Sequence, residues 1–364
     1  YDHPIQVGAD SKKNEAVYGL MGLAQAVEFE RSHQEPVSKV RCLLSVSVTH
    51  PSLRAVAAEY LEQELGRHDL DGNLELYVVT ETDTRQIIEQ VLVPAAQRYL
   101  GIENAKETLE PFGVDGEYGR HYTFLKAISA LWNVLIDRNI RATFKIDLDQ
   151  VFPQKELLSE TGKTAFEHFK TPLWGAQGVD TEGGDVELGM LAGALVNESD
   201  IEKSLFTPDV KFPSDEPTHD ELVFFSKLPQ ALSTEAEMMT RYSGGELDGV
   251  KKCIQRVHVT GGTNGILVKS LRRHRPFTPS FFGRAEDQAY ILSTFENPGP
   301  TLAYAHEEGL IMRHDKQAFA QEAIKAASVG KLLGDYVRII LFSAYAEVLS
   351  EDRSNIKNRI DPFT

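Results

Sequence analysis

The sequence predicts an α/β fold in which a mostly parallel sheet is flanked by helices. The first observation is a strand, helix, strand order: VRCLLSVSVTHP at residues 40–51, SLRAVAAEYLEQELGRH directly after it, and LELYVVTETD at 74–83. Strands joined through a helix by short connections run parallel in one sheet. The second observation is another β-forming run, RATFKIDLDQVFP at 141–153, which follows an amphipathic segment at 121–140 predicted to be one long helix.

Composition bounds the class of protein. The 364 residues are 41% hydrophobic and 25% charged, which is typical of a globular chain. No apolar run reaches the roughly 18 residues that a membrane-spanning helix needs, so no integral membrane segment is predicted. Cys42 and Cys253 are too few for a disulfide framework, and a cytoplasmic location is expected.

Charge argues against a nucleic-acid partner, because a net charge of −16 leaves no broad basic face for phosphates. One local exception is KSLRRHRPF at residues 269–277. Its clustered Lys and Arg side chains indicate either a local anion site or a solvated basic turn.

Helical segments are predicted at both ends of a central domain. The helix at residues 13–34 presents an apolar face that should pack on that domain. The last helices should pack on the domain or form a contact between two copies of the chain. The expected boundaries are 1–39 for the N-terminal tail and helix, 40–316 for the domain with halves 40–153 and 154–316, and 317–364 for the C-terminal helices.

Asp147 and Asp149 are the strongest candidates for chemistry. They follow an apolar β run at spacing i, i+2, so on a strand both carboxylates point to the same side. Two like charges held together are costly unless a cation lies between them. Mg²⁺ is typically held by one or two carboxylates together with substrate phosphates. The alternative is an exposed strand end with two solvated acids.

The order of these elements resembles a known family. A strand and helix open the pattern, a second strand ends in T-E-T-D, Gly119 and Arg120 precede a helix containing Lys126, and a strand ends in D-x-D. This order is similar to the nucleotide-binding half of glycosyltransferases with the GT-A fold, which is related to the Rossmann fold. The resemblance implies a GT-A-like sheet and a metal-dependent transfer of a hexose from a nucleoside diphosphate sugar to a hydroxyl of a small-molecule or saccharide acceptor.

The resemblance also implies roles in binding the donor. Mn²⁺ or Mg²⁺ would be held against the diphosphate, with Asp149 as the direct ligand and Asp147 as a metal or ribose contact. A histidine completes the metal site in many members, and His314 fits that place better than His306. Glu81 and Asp83 would contact the base.

Basic residues and a later segment complete the implied site. Arg120, Lys126, Arg272 and Arg273 would contact the nucleotide or add positive charge near the departing diphosphate. The acceptor side would be formed by residues 257–292, where a β run ends in a glycine pair that includes Gly262 and a later helix opens with Glu286 and Asp287. In inverting members a carboxylate at this place deprotonates the acceptor, which gives Asp287 the base role. The alternative is that both acids only stabilise a helix N-terminus.

The small-residue run from Gly189 to Ala194 predicts tight helix packing in preference to a ligand contact.

Three other functions remain open. D-L-D-Q also resembles the nucleophile motif of haloacid dehalogenase-like phosphatases, in which Asp147 would attack phosphorus and Asp149 would act as the acid. A nucleotidyltransferase shares the fold and the metal logic, and a non-catalytic sugar-nucleotide binding protein would keep only the binding site.

Overall fold

The computed structural model of the chain describes residues 14–33, 39–48, 50–110, 112–114, 120–179, 183–207, 264–274, 290, 294 and 299–314. The helices are α1 (Glu15–His33), α2 (Arg54–Gly66), α3 (Glu81–Ile87), α4 (Val93–Ala95), α5 (Ala105–Leu109), α6 (Arg120–Ser129), α7 (Trp132–Leu135), α8 (Gln154–Thr161), α9 (Ala165–Phe169) and α10 (Val268–Arg273). The strands are β1 (Val40–Val46), β2 (Leu74–Thr80), β3 (Ala142–Lys145), β4 (Gln150–Val151), β5 (Gln177–Val179), β6 (Asp185–Asn197), β7 (Asn264–Leu267) and β8 (Thr301–His314).

The strands form two sheets with different character. β1 and β2 pair in parallel from Val40 opposite Leu74 to Val46 opposite Thr80, which confirms the predicted parallel pair around α2. The second sheet has the strand order β3-β7-β6-β8-β4, and β5 pairs with β6. Its described pairs are antiparallel except β6 with β8. The α/β class is therefore correct, but the expectation of a mostly parallel sheet is wrong for this part of the chain.

β6 and β8 form the centre of the larger sheet. Every residue of β6 between its two ends is buried, and β8 pairs with it over most of its length. Gly189 and Gly193 therefore lie on a strand, and the prediction of helix packing for this segment is wrong. A Cβ atom on Gly189 would meet the side chains of Ser270 and Leu302. The small residues serve close packing as expected, but the packing is between a strand and the elements that cover it.

α1 is part of the main hydrophobic core, and its predicted position is confirmed. Leu20, Leu23 and Val27 are buried there with residues of β1, β2, β6 and β8. The buried Glu30 carboxylate near its end accepts hydrogen bonds from Thr164 Oγ1 at 3.0 Å and from Gln154 Nε2 at 3.3 Å. These bonds tie α1 to the segment that carries α8 and α9.

The segment at 121–140 is broken where one helix was predicted. α6 ends at Ser129, and α7 begins at Trp132. The guanidinium of Arg272 donates from Nε to Ala130 O at 2.7 Å, which satisfies a carbonyl at the end of α6. The expected apolar stripe is interrupted as well, because Leu135 is exposed.

The helix predicted at 84–98 is present and somewhat longer. It runs from α3 through a π-helical turn (Ile88–Leu92), α4 and a second π-helical turn (Ala96–Leu100). In the residues that the structure describes, no helix is long and apolar enough to cross a membrane.

Candidate functional site at the end of β3

Asp147 and Asp149 lie on a tight turn beyond the carboxyl end of β3. β3 ends at Lys145, and Gln150 donates its backbone N–H to Asp147 O at 3.0 Å, which closes the turn. The chain then enters β4, which pairs with β8. The expectation that both carboxylates project from one face of a strand is therefore wrong, because the chain must reverse here to form β4. We call residues 147–150 the D-x-D turn.

α1 supports the D-x-D turn directly. A Cβ atom on Gly19 would lie 2.6 Å from Leu148 O and 2.8 Å from Leu148 Cα, and a Cβ atom on Gly22 would meet the Val151 side chain. Two glycines one helical turn apart thus let the helix backbone contact the turn. The position of the two aspartates depends on this close approach.

The Asp147 carboxylate is held by neighbours in the sequence. One oxygen lies 3.3 Å from Lys145 Nζ, and the other accepts a hydrogen bond from Gln150 Nε2 at 3.0 Å. Because both oxygens are engaged, Asp147 is suited to orienting the turn, while Asp149 occupies the bend next to it.

Gln150 links the turn to His314. The two residues are opposite each other in the antiparallel pair of β4 with β8, and both are buried. The structure therefore places His314 opposite the last residue of the D-x-D turn, and its role as a metal ligand stays a prediction. Within the described residues, Gln150 Oε1 is a buried oxygen without a hydrogen-bond partner. Sequence reasoning missed Gln150, although a polar residue between an acidic pair and an apolar Val-Phe was a usable signal.

The donor atoms fit a hard cation only in part. No three His, Cys, Asp or Glu side chains cluster closely enough to hold a metal ion in the part of the chain that is described, so Asp147, Asp149 and His314 do not form such a cluster. Mg²⁺ and Mn²⁺ accept carboxylate and amide oxygens, and Mg²⁺ needs few protein ligands when phosphates supply the others. Gln150 donates from Nε2 to Asp147, and its buried Oε1 atom is an oxygen of the kind that such a cation accepts.

Glu81 and Asp83 lie where β2 passes into α3, and both have internal partners. Glu81 accepts hydrogen bonds from Ser47 Oγ at 3.2 Å and from the Val48 backbone N–H, which joins the ends of β1 and β2. Asp83 accepts from Thr80 N at 2.8 Å as part of a helix capping box. The structure thus gives both acids roles in the fold, and their contact with a base stays a prediction.

The basic residues of α10 lie away from the D-x-D turn. α10 follows β7, and β7 runs antiparallel to β3 with Leu267 opposite Ala142. Arg272 and Arg273 therefore lie near the amino end of β3. The structure does not bring them to the turn, and the resemblance alone could not show this because it gave no strand pairing.

Glu187 neutralises two of the basic residues of α10, Arg273 and Lys269. Its carboxylate is buried on β6 and pairs with Arg273 Nη1 at 2.7 Å and with Lys269 Nζ at 3.1 Å. Burial acts to raise the pKa of Glu187, but the hydrogen bonds and charges of Arg273 and Lys269 outweigh it and hold the pKa below its ordinary value. Sequence reasoning missed this residue, whose signal is one charge inside the apolar run VELGMLAGALV.

Lys126 is buried against Tyr290. Its Nζ atom lies 4.9 Å from the centre of the Tyr290 ring, and Tyr290 donates its hydroxyl to His274 O at 3.0 Å. The structure therefore places Lys126 in an aromatic contact near α10. Arg120 begins α6, and its side chain is outside the described set, as are Gly262, Glu286 and Asp287 and the C-terminal helices predicted at 317–364.

Comparison with known proteins assigns the chain to no family. No family model matches the chain, and no curated protein is significantly similar to it. The geometry of the D-x-D turn and its contacts are therefore the basis for any functional proposal.

Proposed function

We propose that the protein is a metal-dependent glycosyltransferase that moves a sugar from a nucleoside diphosphate sugar to a hydroxyl acceptor. One observation carries the proposal. Asp147 and Asp149 share a turn at the carboxyl end of β3, and Gln150 of that turn is paired with His314 of β8. The two aspartates and a buried amide oxygen thus share one turn, and the strand that carries His314 pairs with its last residue. The turn lies at the carboxyl end of a strand, where α/β proteins commonly bind ligands.

The residues divide their tasks by their contacts. Lys145 and Gln150 fix the orientation of Asp147. Asp149, with the Gln150 oxygen, is the proposed holder of Mn²⁺ or Mg²⁺, and His314 is the proposed additional ligand. When bound, such a cation neutralises the charge that develops on a diphosphate leaving group, an effect worth several kcal/mol.

The proposed donor site would use residues of both sheets. Arg41 near the start of β1 pairs with Asp137 before β3 at 3.4 Å. Leu44 and Val46 of β1 belong to the same hydrophobic core as Ile146, which follows β3. In this proposal the nucleotide base lies near Glu81 and its diphosphate lies at the D-x-D turn.

The acceptor side of the proposal comes from the sequence resemblance. Asp287 is the proposed base, and Glu286 is the proposed neighbour that helps orient the acceptor hydroxyl. A general base must first lie within hydrogen-bonding distance of the proton that it removes. Activity measurements on Asp287→Asn and Glu286→Gln would separate these roles, because loss of the base lowers kcat while loss of an acceptor contact raises KM.

Thermal unfolding with UDP, GDP, ADP and CMP, each with and without Mn²⁺ or Mg²⁺, tests the proposal. A ligand that binds only the folded state at 100 times its Kd stabilises it by about 2.7 kcal/mol. One nucleoside diphosphate should raise Tm only with the metal, and Asp149→Asn should remove that shift. Asp69→Asn is the matched control, because Asp69 is an exposed acid in a loop.

Two outcomes would contradict the proposal. One is a protein that no nucleotide stabilises with either metal. The other is hydrolysis of a simple phosphate ester that needs Mg²⁺ and Asp147, which would favour the phosphatase alternative.

A further inference from the structure

We propose a second ligand site, a pocket at the amino end of β3 that binds a phosphate-bearing small molecule. The pocket has a volume of about 450 Å³ and is lined by residues before β3, by α10 and by the segment leading to β5. That volume is within the range of pockets that bind small molecules, about 300 to 1,000 Å³. We call it the basic pocket, and it does not depend on the proposed transferase activity.

The charge of the lining identifies the ligand as an anion. Arg138, Arg141, Lys269 and Arg272 line the basic pocket, and Glu187 is the acidic residue among the lining residues. Such a concentration of positive charge is unexpected in a protein with a net charge of −16. Clefts lined by one sign of charge concentrate ligands of the opposite sign.

Two of the four cations are held by contacts within the fold, and the other two are available to a ligand. Arg272 is bonded to Ala130 O, and Lys269 is paired with Glu187. Arg138 and Arg141 are exposed, and in the described structure their guanidinium groups make no hydrogen bond or ion pair. Both guanidinium groups are therefore available to an anion in the pocket.

Phosphate is the group that best matches these cations. A guanidinium presents several N–H donors in a planar fork and binds phosphate oxygens with two parallel hydrogen bonds. A phosphate group has enough oxygens to bind Arg138 and Arg141 at once. A single carboxylate has only two oxygens for the same two forks.

Trp174 defines the rest of the ligand. Trp174 lines the basic pocket, and its Nε1–H is donated to Phe169 O at 2.6 Å. Because that donor is used within the fold, Trp174 contributes apolar surface to the pocket. The ligand is therefore a phosphate ester with a compact ring that can lay an apolar face against Trp174. A hexose has such a face, formed by its C–H groups, so a hexose phosphate is a suitable probe.

The basic pocket and the D-x-D turn are at opposite ends of β3. Arg141 immediately precedes β3, while Asp147 follows it. The four residues of the strand span about 13 Å at 3.3 Å per residue. One phosphate group therefore cannot occupy both the basic pocket and the D-x-D turn.

Calorimetric titration of the full chain with pyrophosphate and with a hexose phosphate, in a metal-free buffer with chelator at low salt, tests the proposal. Both probes should bind, and the double variant Arg138→Gln/Arg141→Gln should weaken both at least tenfold, since a hydrogen bond to a charged group contributes about 1.5 to 3 kcal/mol. The double variant Arg67→Gln/Arg98→Gln removes the same charge from exposed arginines elsewhere and should leave the affinities unchanged.

Asp149→Asn separates this site from the transferase proposal, and it should not alter binding of either probe. The proposal is overturned if the wild-type protein binds neither probe, or if the control variant weakens binding as much as the pocket variant. It is also overturned if binding is lost in Asp149→Asn and retained in Arg138→Gln/Arg141→Gln, because the anion would then lie at the D-x-D turn.

Discussion

The two ends of β3 hold opposite charges, and they do so with partners at very different distances along the chain. At the D-x-D turn, Asp147 is held by Lys145 and Gln150, both within three residues of it. At the basic end, Arg272 is bonded to Ala130, which is 142 residues away, and Arg273 is paired with Glu187, 86 residues away. The acidic end can therefore be inferred from one short stretch, whereas the basic end exists only after the sheet has formed.

The largest expected effect tests what supports the acidic end. Gly19→Val should lower the free energy of unfolding by about 3 kcal/mol, because its side chain would overlap the Leu148 backbone, which cannot easily move. Chemical denaturation measures the change. Gly66→Val is the matched control, since a Cβ atom there meets nothing within 4 Å. A Gly19→Val protein as stable as the control would show that α1 does not support the turn as described.

A smaller effect is expected at the basic end. Glu187→Gln should lower the free energy of unfolding by about 2 kcal/mol at neutral pH. Removing one partner of a buried ion pair commonly costs more, but the side chains of Lys269 and Arg273 are 66% and 32% exposed and can be hydrated. Glu89→Gln is the control. It breaks an exposed pair with Lys106 and should lower the free energy of unfolding by less than about 0.5 kcal/mol.

The pH dependence sharpens that test. Because its cationic partners hold the pKa of Glu187 below the ordinary value of 4.5, the carboxylate stabilises the fold above that pH. This stabilisation is lost as the pH falls through the lowered native pKa. Unfolding free energies of wild type and Glu187→Gln should therefore converge in acid, and a constant difference would contradict the ion-pair role.

The predicted effect that is smallest near neutral pH also concerns the basic end. Burial, with a further contribution from the charge of Arg273, lowers the pKa of His274 from 6.5 to about 4, against an opposing effect of Glu187. Between these values the unfolded chain binds a proton that the native ring does not bind, so stability falls as the pH falls through this window. Over the first pH unit below 6.5 the free energy of unfolding falls by about 1 kcal/mol.

Denaturation of wild type and His274→Gln across that window measures this loss. The variant should lose less stability toward acid, because it has no imidazole to protonate on unfolding. His33→Gln, at the exposed end of α1, controls for the removal of a histidine. Parallel pH profiles for wild type and His274→Gln would show that the buried ring does not contribute.

Features set by local pattern were predicted well. α1, β1 and β2 were found because their apolar spacing and their flanking turn residues lie within each segment. The D-x-D pair was found for the same reason. The geometry of the pair is not predicted from the sequence. Residues 147–150 reverse into β4 because β4 pairs with β8, and His314 of β8 lies over 160 residues later in the chain.

The remaining errors have the same origin. Whether the stretch from Gly189 to Ala194 is a helix or a strand depended on partners supplied by β7 and β8, and small residues suit close packing in either form. The break after α6 depended on Arg272. The sequence assigns Arg272 and Arg273 of the basic segment to a diphosphate because their distant partners, Ala130 and Glu187, cannot be identified from sequence spacing.

The contact between Gly19 and Leu148 sets the smallest fragment of this chain that can be used to study the D-x-D turn. A fragment that starts at β1 would contain every residue proposed to bind a donor, yet it would lack the helix on which the turn rests. It would also leave Gln154 and Thr164 without the Glu30 carboxylate that they contact. An inactive fragment of that kind would therefore say nothing about Asp147 or Asp149, and an expression boundary should be placed before Glu15.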